Sequence, residues 1–134
     1  QHRGTYPGED WQIDYTQMPP CKGFKYLLVF IDTFTGWIEA FPTWSEKAIE
    51  VSKLLLKEII PRFGLPRSLL SDNDLSFTVT ITQNISSALG IQYHLHSLWG
   101  PQSSGKVERA NQTLKRTLAK LCQETWRPGC LYYL

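Results

Sequence analysis

Three acidic residues carry the spacing from which chemistry can be read in this 134-residue chain: Asp14, Asp72 and Glu108, the last two with 35 residues between them. Asp14 lies inside the run Trp11-Gln12-Ile13-Asp14-Tyr15, and Asp72 inside Leu70-Ser71-Asp72-Asn73-Asp74. Glu108 closes a stretch that opens with Pro101-Gln102-Ser103-Ser104-Gly105. Carboxylates brought together repel one another and their pKa values rise, unless a cation sits between them. Hard divalent ions with oxygen ligands remove that repulsion. Two such ions, roughly 3.5–4 Å apart, can clamp the attacking and leaving oxygens of a phosphoryl transfer. No Ser-His or Cys-His arrangement offers a protein nucleophile, and no Gly-rich phosphate loop follows a strand. The chemistry implied is metal-dependent.

The elements that must position these acids are readable from periodicity. Trp11, Ile13 and Tyr15 alternate with Gln12 and Asp14, a strand signature. A turn over Pro19–Gly23 leads to Tyr26–Ile31, six apolar residues in a row, expected as a strand buried on both faces. Thr33–Gly36 is a hairpin turn, and Trp37–Phe41 its partner strand, stopped by Pro42. Ser45 is read as a helix N-cap with Glu46 in the first turn. Val51, Leu54, Leu55, Ile59 and Phe63 then form the buried stripe of a helix over Glu46–Phe63. Arg67–Leu70 is a short fourth strand that delivers Asp72 at its C-terminal edge, where open α/β sheets place their ligands. A helix over Phe77–Leu89 is capped by Gly90, and Ile91–Leu95 is a fifth strand, with His94 and His96 on one face. That His pair has no further Cys or His near enough in sequence to complete a structural zinc site. The last helix spans about Lys106 to Gln123, with Val107, Ala110, Leu114, Leu118 and Leu121 as its buried stripe. Glu108, Gln112 and Lys115 share a second face.

Length and composition bound the rest. One domain over residues 1–134 is expected, with 1–10 an extended lead-in and 127–134 a truncated tail. The 42% hydrophobic content includes no apolar run long enough for a membrane span, so no membrane association is expected. No signal-peptide pattern opens the chain, and its first residue, Gln1, reads as the start of a piece cut from a longer precursor. Cys21, Cys122 and Cys130 form no CxxC pair and are read as free thiols of an intracellular, reducing setting. The net charge of +2 is unevenly placed: Lys106–Arg127 holds six basic residues against two acids. A basic segment beside an acidic site suits a polyanionic substrate.

Asp14, Asp72 and Glu108, with their spacing, resemble the acidic triad of retroviral integrase catalytic cores. The flanking words Lys25-Tyr26-Leu27-Leu28-Val29-Phe30-Ile31-Asp32, Gly36-Trp37-Ile38-Glu39-Ala40-Phe41-Pro42 and Pro101 to Arg109 are similar to the gammaretroviral branch and its endogenous relatives. Element order alone permits several α+β arrangements; the resemblance implies a ribonuclease-H-like α/β fold, a five-stranded mixed sheet flanked by helices. It also implies a two-ion Mg²⁺ or Mn²⁺ site on the three acids, with no small-molecule cofactor. The implied activity is DNA 3′-end processing and strand transfer, in the nucleus as part of a pre-integration complex, or in the virion. DNA contacts are expected at Lys115, Gln112, Asn111, Ser103, Ser104, Lys106 and Arg109. A homodimer is expected through helices Glu46–Phe63 and 106–123, with Trp44 and Trp126 as anchors, and His96 is expected to border the active site.

Three positions depart from the family's pattern. Asp74 stands where glycine is usual, which suggests backbone with positive φ or close approach by another group. Gly100 replaces a frequent arginine, and Gln112 a frequent basic residue. The chain also has neither the zinc module that precedes such cores nor the barrel that follows them, so activity is expected to be weak in isolation. Two alternatives stay open: a catalytically decayed endogenous core that binds DNA or dimerises, which the departures at Asp74, Gly100 and Gln112 favour, and a ribonuclease-H-type nuclease or DDE transposase with no retroviral role, which the flanking words disfavour.

Overall fold

Residues 10–43 form an antiparallel meander, as their alternating and continuous apolar runs require. In this computed structural model, which describes residues 4–21, 23–99 and 116, the strands β1 (Asp10–Cys21), β2 (Phe24–Asp32) and β3 (Ile38–Thr43) pair in sequence. Two more strands, β4 (Ser68–Ser71) and β5 (His96–Trp99), add in parallel on the far side of β1. The sheet order is β3-β2-β1-β4-β5. Leu27–Ile31 is buried throughout, which is the expected environment of a central strand with no polar face.

The helical layer supplies α1 (Ala48–Leu54), a π-helical turn (Leu55–Ile59), α2 (Ile60–Phe63) and α3 (Leu75–Leu89). Val51, Leu55, Ile59, Ile81 and Ile85 pack with Trp11, Ile13, Leu28 and Phe30 in one core. Asn84 Nδ2 donates to Ser52 Oγ at 3.0 Å, and Ser52 Oγ donates to the Ala48 carbonyl, so the one polar seam between α1 and α3 that these bonds define is satisfied.

Several boundaries differ from those expected, each for a local reason. The strand β1 runs through Pro19 and Pro20 to Cys21, but two residues without an N–H interrupt its ladder, and the register shifts between Gln17 and Cys21. Pro42 does not stop β3, because β3 is an edge strand and a proline N there costs no ladder bond. The helix after β3 begins at Ala48, later than Ser45, whose Oγ instead accepts from Lys47 N at 3.5 Å. Its single expected span is divided by the π turn, which widens the backbone just ahead of Pro61, a residue that cannot donate to the ladder and crowds the carbonyl four residues back. The fifth strand begins at His96 rather than Ile91. Its partner β4 starts only at Ser68, and upstream the chain is held by Tyr93 Oη, which donates to the Pro66 carbonyl.

Gly23, at the β1–β2 turn, has φ +90, and a Cβ there would lie 2.4 Å from the Trp44 ring, which stacks on Phe24. Gly23→Ala is expected to lower stability by about 1–3 kcal/mol through backbone strain and ring displacement. A urea midpoint equal to the parent's would show that the turn relaxes freely.

Near the N-terminus Glu9 is buried and accepts from Thr5 N (2.6 Å), Thr5 Oγ1 (2.9 Å) and Arg67 Nη1 (3.2 Å). The Thr5 backbone bond, helped by the Thr5 hydroxyl and Arg67 and opposed by burial, holds its carboxyl below the ordinary value of 4.5. A depressed folded pKa stabilises above the unfolded value and is lost as pH falls through the folded one. Glu9→Gln should therefore be less stable than the parent at neutral pH, with the gap closing once the medium is acidic enough to protonate Glu9 in the folded chain. A gap independent of pH would show that the charge contributes nothing.

Candidate active site

The site is built by the parallel pairing of β1 with β4. Asp10 lies opposite Ser68 and Gln12 opposite Leu70, so the next position in phase sets Asp14 beside Asp72. Trp11 and Ile13 point into the helix-covered core, which by alternation puts Asp14 on the other face of β1. Asp72 is the first residue beyond β4, in a bend that Ser71 Oγ closes by accepting from Asn73 N at 3.0 Å. Asp14 is half-buried and Asp72 exposed. Both line one concavity of about 190 Å³, together with Ile13, Tyr15, Glu46 and Asn73.

Asp74 follows at once, and its geometry corrects the expectation drawn from glycine. Its φ is −74 and ψ 173, ordinary extended backbone. Its carboxylate is the N-cap of α3, accepting from Phe77 N at 3.2 Å and from Ser76 Oγ at 2.6 Å. The Ser76 hydroxyl first, then the Phe77 amide, hold the Asp74 carboxyl below its usual range. A side chain that suits this cap needs no left-handed backbone.

Tyr15 closes one side of the concavity. Its hydroxyl donates to the Lys47 carbonyl at 3.3 Å, and its ring meets Tyr26 edge to face. Burial, then the negative charges of Glu50 and Glu46, push its phenol well above the ordinary range, so it stays a neutral donor. Sequence reasoning missed both Tyr15 and Glu46 as lining residues. Only the fold brings residue 46 to residue 14, and no periodicity signals that contact.

Of the expected site residues, Asp14 and Asp72 are brought together. Glu108, Lys115, Gln112, Asn111, Ser103, Ser104, Lys106 and Arg109 lie outside the described residues, as do Gly100 and Trp126. Asp14 and Asp72 present hard oxygen donors to one opening, which suits Mg²⁺ or Mn²⁺ better than softer metals. Among the described residues no group of three or more His, Cys, Asp or Glu side chains could hold a metal. His96 pairs with Ser68, at the end of β4 remote from Asp72, and so does not border this concavity. Its ring lies edge to face with that of His94.

The sheet order and the helices that cover it define a ribonuclease-H-like fold, and solved structures of this class match it. The simian T-cell lymphotropic virus intasome, solved in complex with the PP2A regulatory subunit B56 gamma, aligns with a TM-score of 0.71 at 28% identity, over 98% of this chain and 48% of that one. The catalytic core domain of BIV integrase aligns with a TM-score of 0.65 at 30% identity, over 93% of this chain and 79% of that one. The integrase core domain family matches residues 4–101, and the chain belongs to that family. Its sequence is of the gammaretroviral type. It is 52% identical over 126 residues to the Gag-Pol polyprotein of gibbon ape leukemia virus, and 52% identical over 130 residues to that of baboon endogenous virus. These matches take in 93% of this chain but only 8% of each polyprotein.

Proposed function

We propose that this chain is the core of a metal-dependent polynucleotidyl transferase that processes DNA 3′ ends and joins them to target DNA, an integrase-type nucleotidyltransferase and endonuclease. The observation that carries this reading is the convergence of Asp14 and Asp72 on one concavity in a chain of the integrase core family. Asp14 and Asp72 would hold Mg²⁺ or Mn²⁺, with Glu108 as the third ligand. When bound, the ions supply activation of the attacking oxygen and neutralisation of charge on the phosphate. The protein's own part is to present Asp14 from β1 and Asp72 from the bend that directly follows β4, the strand paired with β1, so that the sheet sets their spacing. Asn73 and the basic segment that includes Lys106, Arg109 and Lys115 would orient the DNA backbone, with Ser103, Ser104, Asn111 and Gln112 beside them. Residues 1–134 would act as one core, in the virion or in a nuclear complex with viral ends and target DNA.

Titration of Mg²⁺ and Mn²⁺ into the chain and into Asp72→Asn, paired with cleavage of a labelled duplex, tests the reading. Saturable binding and cleavage that both depend on Asp72 are expected. Metal-independent DNA binding without cleavage would favour the alternative of a decayed core. A homodimer is also proposed, through the surface around α1 where Trp44 and Ile49 remain exposed. Sedimentation at tens of micromolar, roughly the range in which weak pairs form, should show a dimer; monomer alone would remove this part.

A further inference from the structure

The concavity has an acidic wall that comes from neither strand of the Asp14–Asp72 pair. Glu46, in the link between β3 and α1, lines it with them. That link is tied down on both sides of Glu46. Thr43 Oγ1 donates to the Ser45 carbonyl at 2.9 Å, and Tyr15 Oη donates to the Lys47 carbonyl at 3.3 Å. Tyr15 directly follows Asp14, so the strand that presents Asp14 also fixes the segment that presents Glu46. The Glu46 side chain is exposed and makes no hydrogen bond or ion pair among the described residues. It therefore does no visible structural work, although it is held in place at the mouth of the site.

A carboxylate in that position acts on whatever enters. The concavity is smaller than the screening length of about 10 Å at 0.1 M salt, so a phosphate inside it feels the Glu46 charge. Divalent ions feel the same charge with opposite sign. We propose, resting on the site reading above, that Glu46 is a specificity-determining residue that makes DNA engagement conditional on divalent metal, with Tyr15 as its positioning residue. Without metal, Glu46 helps to keep a phosphodiester out; with metal, it favours the loaded site into which the phosphodiester fits.

The test uses the full chain, calorimetric Mn²⁺ titration, and anisotropy of a labelled duplex with and without Mn²⁺. Glu46→Gln should weaken Mn²⁺ binding about threefold and strengthen metal-free DNA binding about threefold at low salt, scales set by a single nearby unit charge. The gain in DNA affinity produced by Mn²⁺ should fall accordingly, and high salt should erase the difference. Glu46→Asp should restore the parent's metal dependence, and Tyr15→Phe should shift it in the direction of Glu46→Gln by a smaller amount. Asp72→Asn is the reference. If it loses Mn²⁺ binding while Glu46→Gln matches the parent, this inference is overturned and the site reading stands. If Asp72→Asn binds Mn²⁺ like the parent, the site reading itself fails. Equal weakening of metal-free and metal-loaded DNA binding by Glu46→Gln would assign it a structural role and overturn the inference.

Discussion

Asp72→Asn, Asp14→Asn and Glu108→Gln are each expected to slow metal-dependent DNA cleavage by roughly 10²–10³-fold, the scale on which loss of one preorganised charge-stabilising group slows an enzyme. The folded state should be untouched. Each replacement exchanges an anionic oxygen for a neutral amide of nearly the same shape, so what changes is affinity for a hard cation. Asp72 is exposed and Asp14 half-buried, so an amide at either position keeps access to water for its own hydrogen bonds. The measurement is cleavage of a labelled duplex in Mn²⁺, alongside the far-ultraviolet circular dichroism spectrum and urea midpoint of each variant. Parent-like turnover by any one of the three would remove that residue from the site. A collapsed midpoint would leave the loss of cleavage without chemical meaning, which is why the isosteric changes are used.

Asp10, Asp14 and Asp32 all lie in strands of the same meander, and composition does not sort them. The fold does. Asp10 is buried and accepts from the Ser68 hydroxyl. Asp32 is fully buried and accepts from Gly8 N, Phe34 N and Thr35 Oγ1, so it pins the lead-in and the β2–β3 turn. Asp14 opens onto the concavity. What picked Asp14 out of the sequence was its neighbourhood of flanking words, not its charge.

The antiparallel half of the sheet was readable because its signals are local: alternation in β1 and a continuous apolar run in β2. The arrival of Asp72 at the end of β4 was readable too, since a short apolar run between Pro66 and the Asp72-Asn73-Asp74 turn leaves little other choice. Features decided by distant partners were not. The start of β5 depends on where β4 begins and on a Tyr93–Pro66 bond. The π turn depends on how a helix already packed on the sheet accommodates Pro61. The place of Glu46 depends in part on a bond from Tyr15 to the Lys47 carbonyl across a gap of 32 residues. Asp74 shows a different limit: a position read through its usual glycine concealed an N-cap that its own side chain suits.

Phe30→Ala is expected to cost about 3–5 kcal/mol, the range for deleting a large buried aromatic ring. Phe30 is fully buried on β2, at the middle of an aromatic chain that runs from Trp11 (centroids 6.3 Å apart, 88° between planes) to Phe41 (6.0 Å, 72°). Such edge-to-face pairs add to the area term, so the cavity forfeits both. The ring belongs to a core cluster that draws residues from the strands and from the helical layer, and a close-packed core refills such a space only in part. A loss of this size is a large share of the roughly 5–15 kcal/mol that keeps a domain folded. The urea midpoint should fall steeply while the slope of the transition stays the same. Cleavage should fall in proportion to the unfolded fraction and recover under conditions that refold the chain, whereas Asp72→Asn loses it while fully folded. Phe30→Leu should lose less, because most of the volume is retained. A Phe30→Ala midpoint close to the parent's would mean that the core does not rest on this ring, and that β1, which pairs with β2 through Ile13 and Phe30, is held against it by other means.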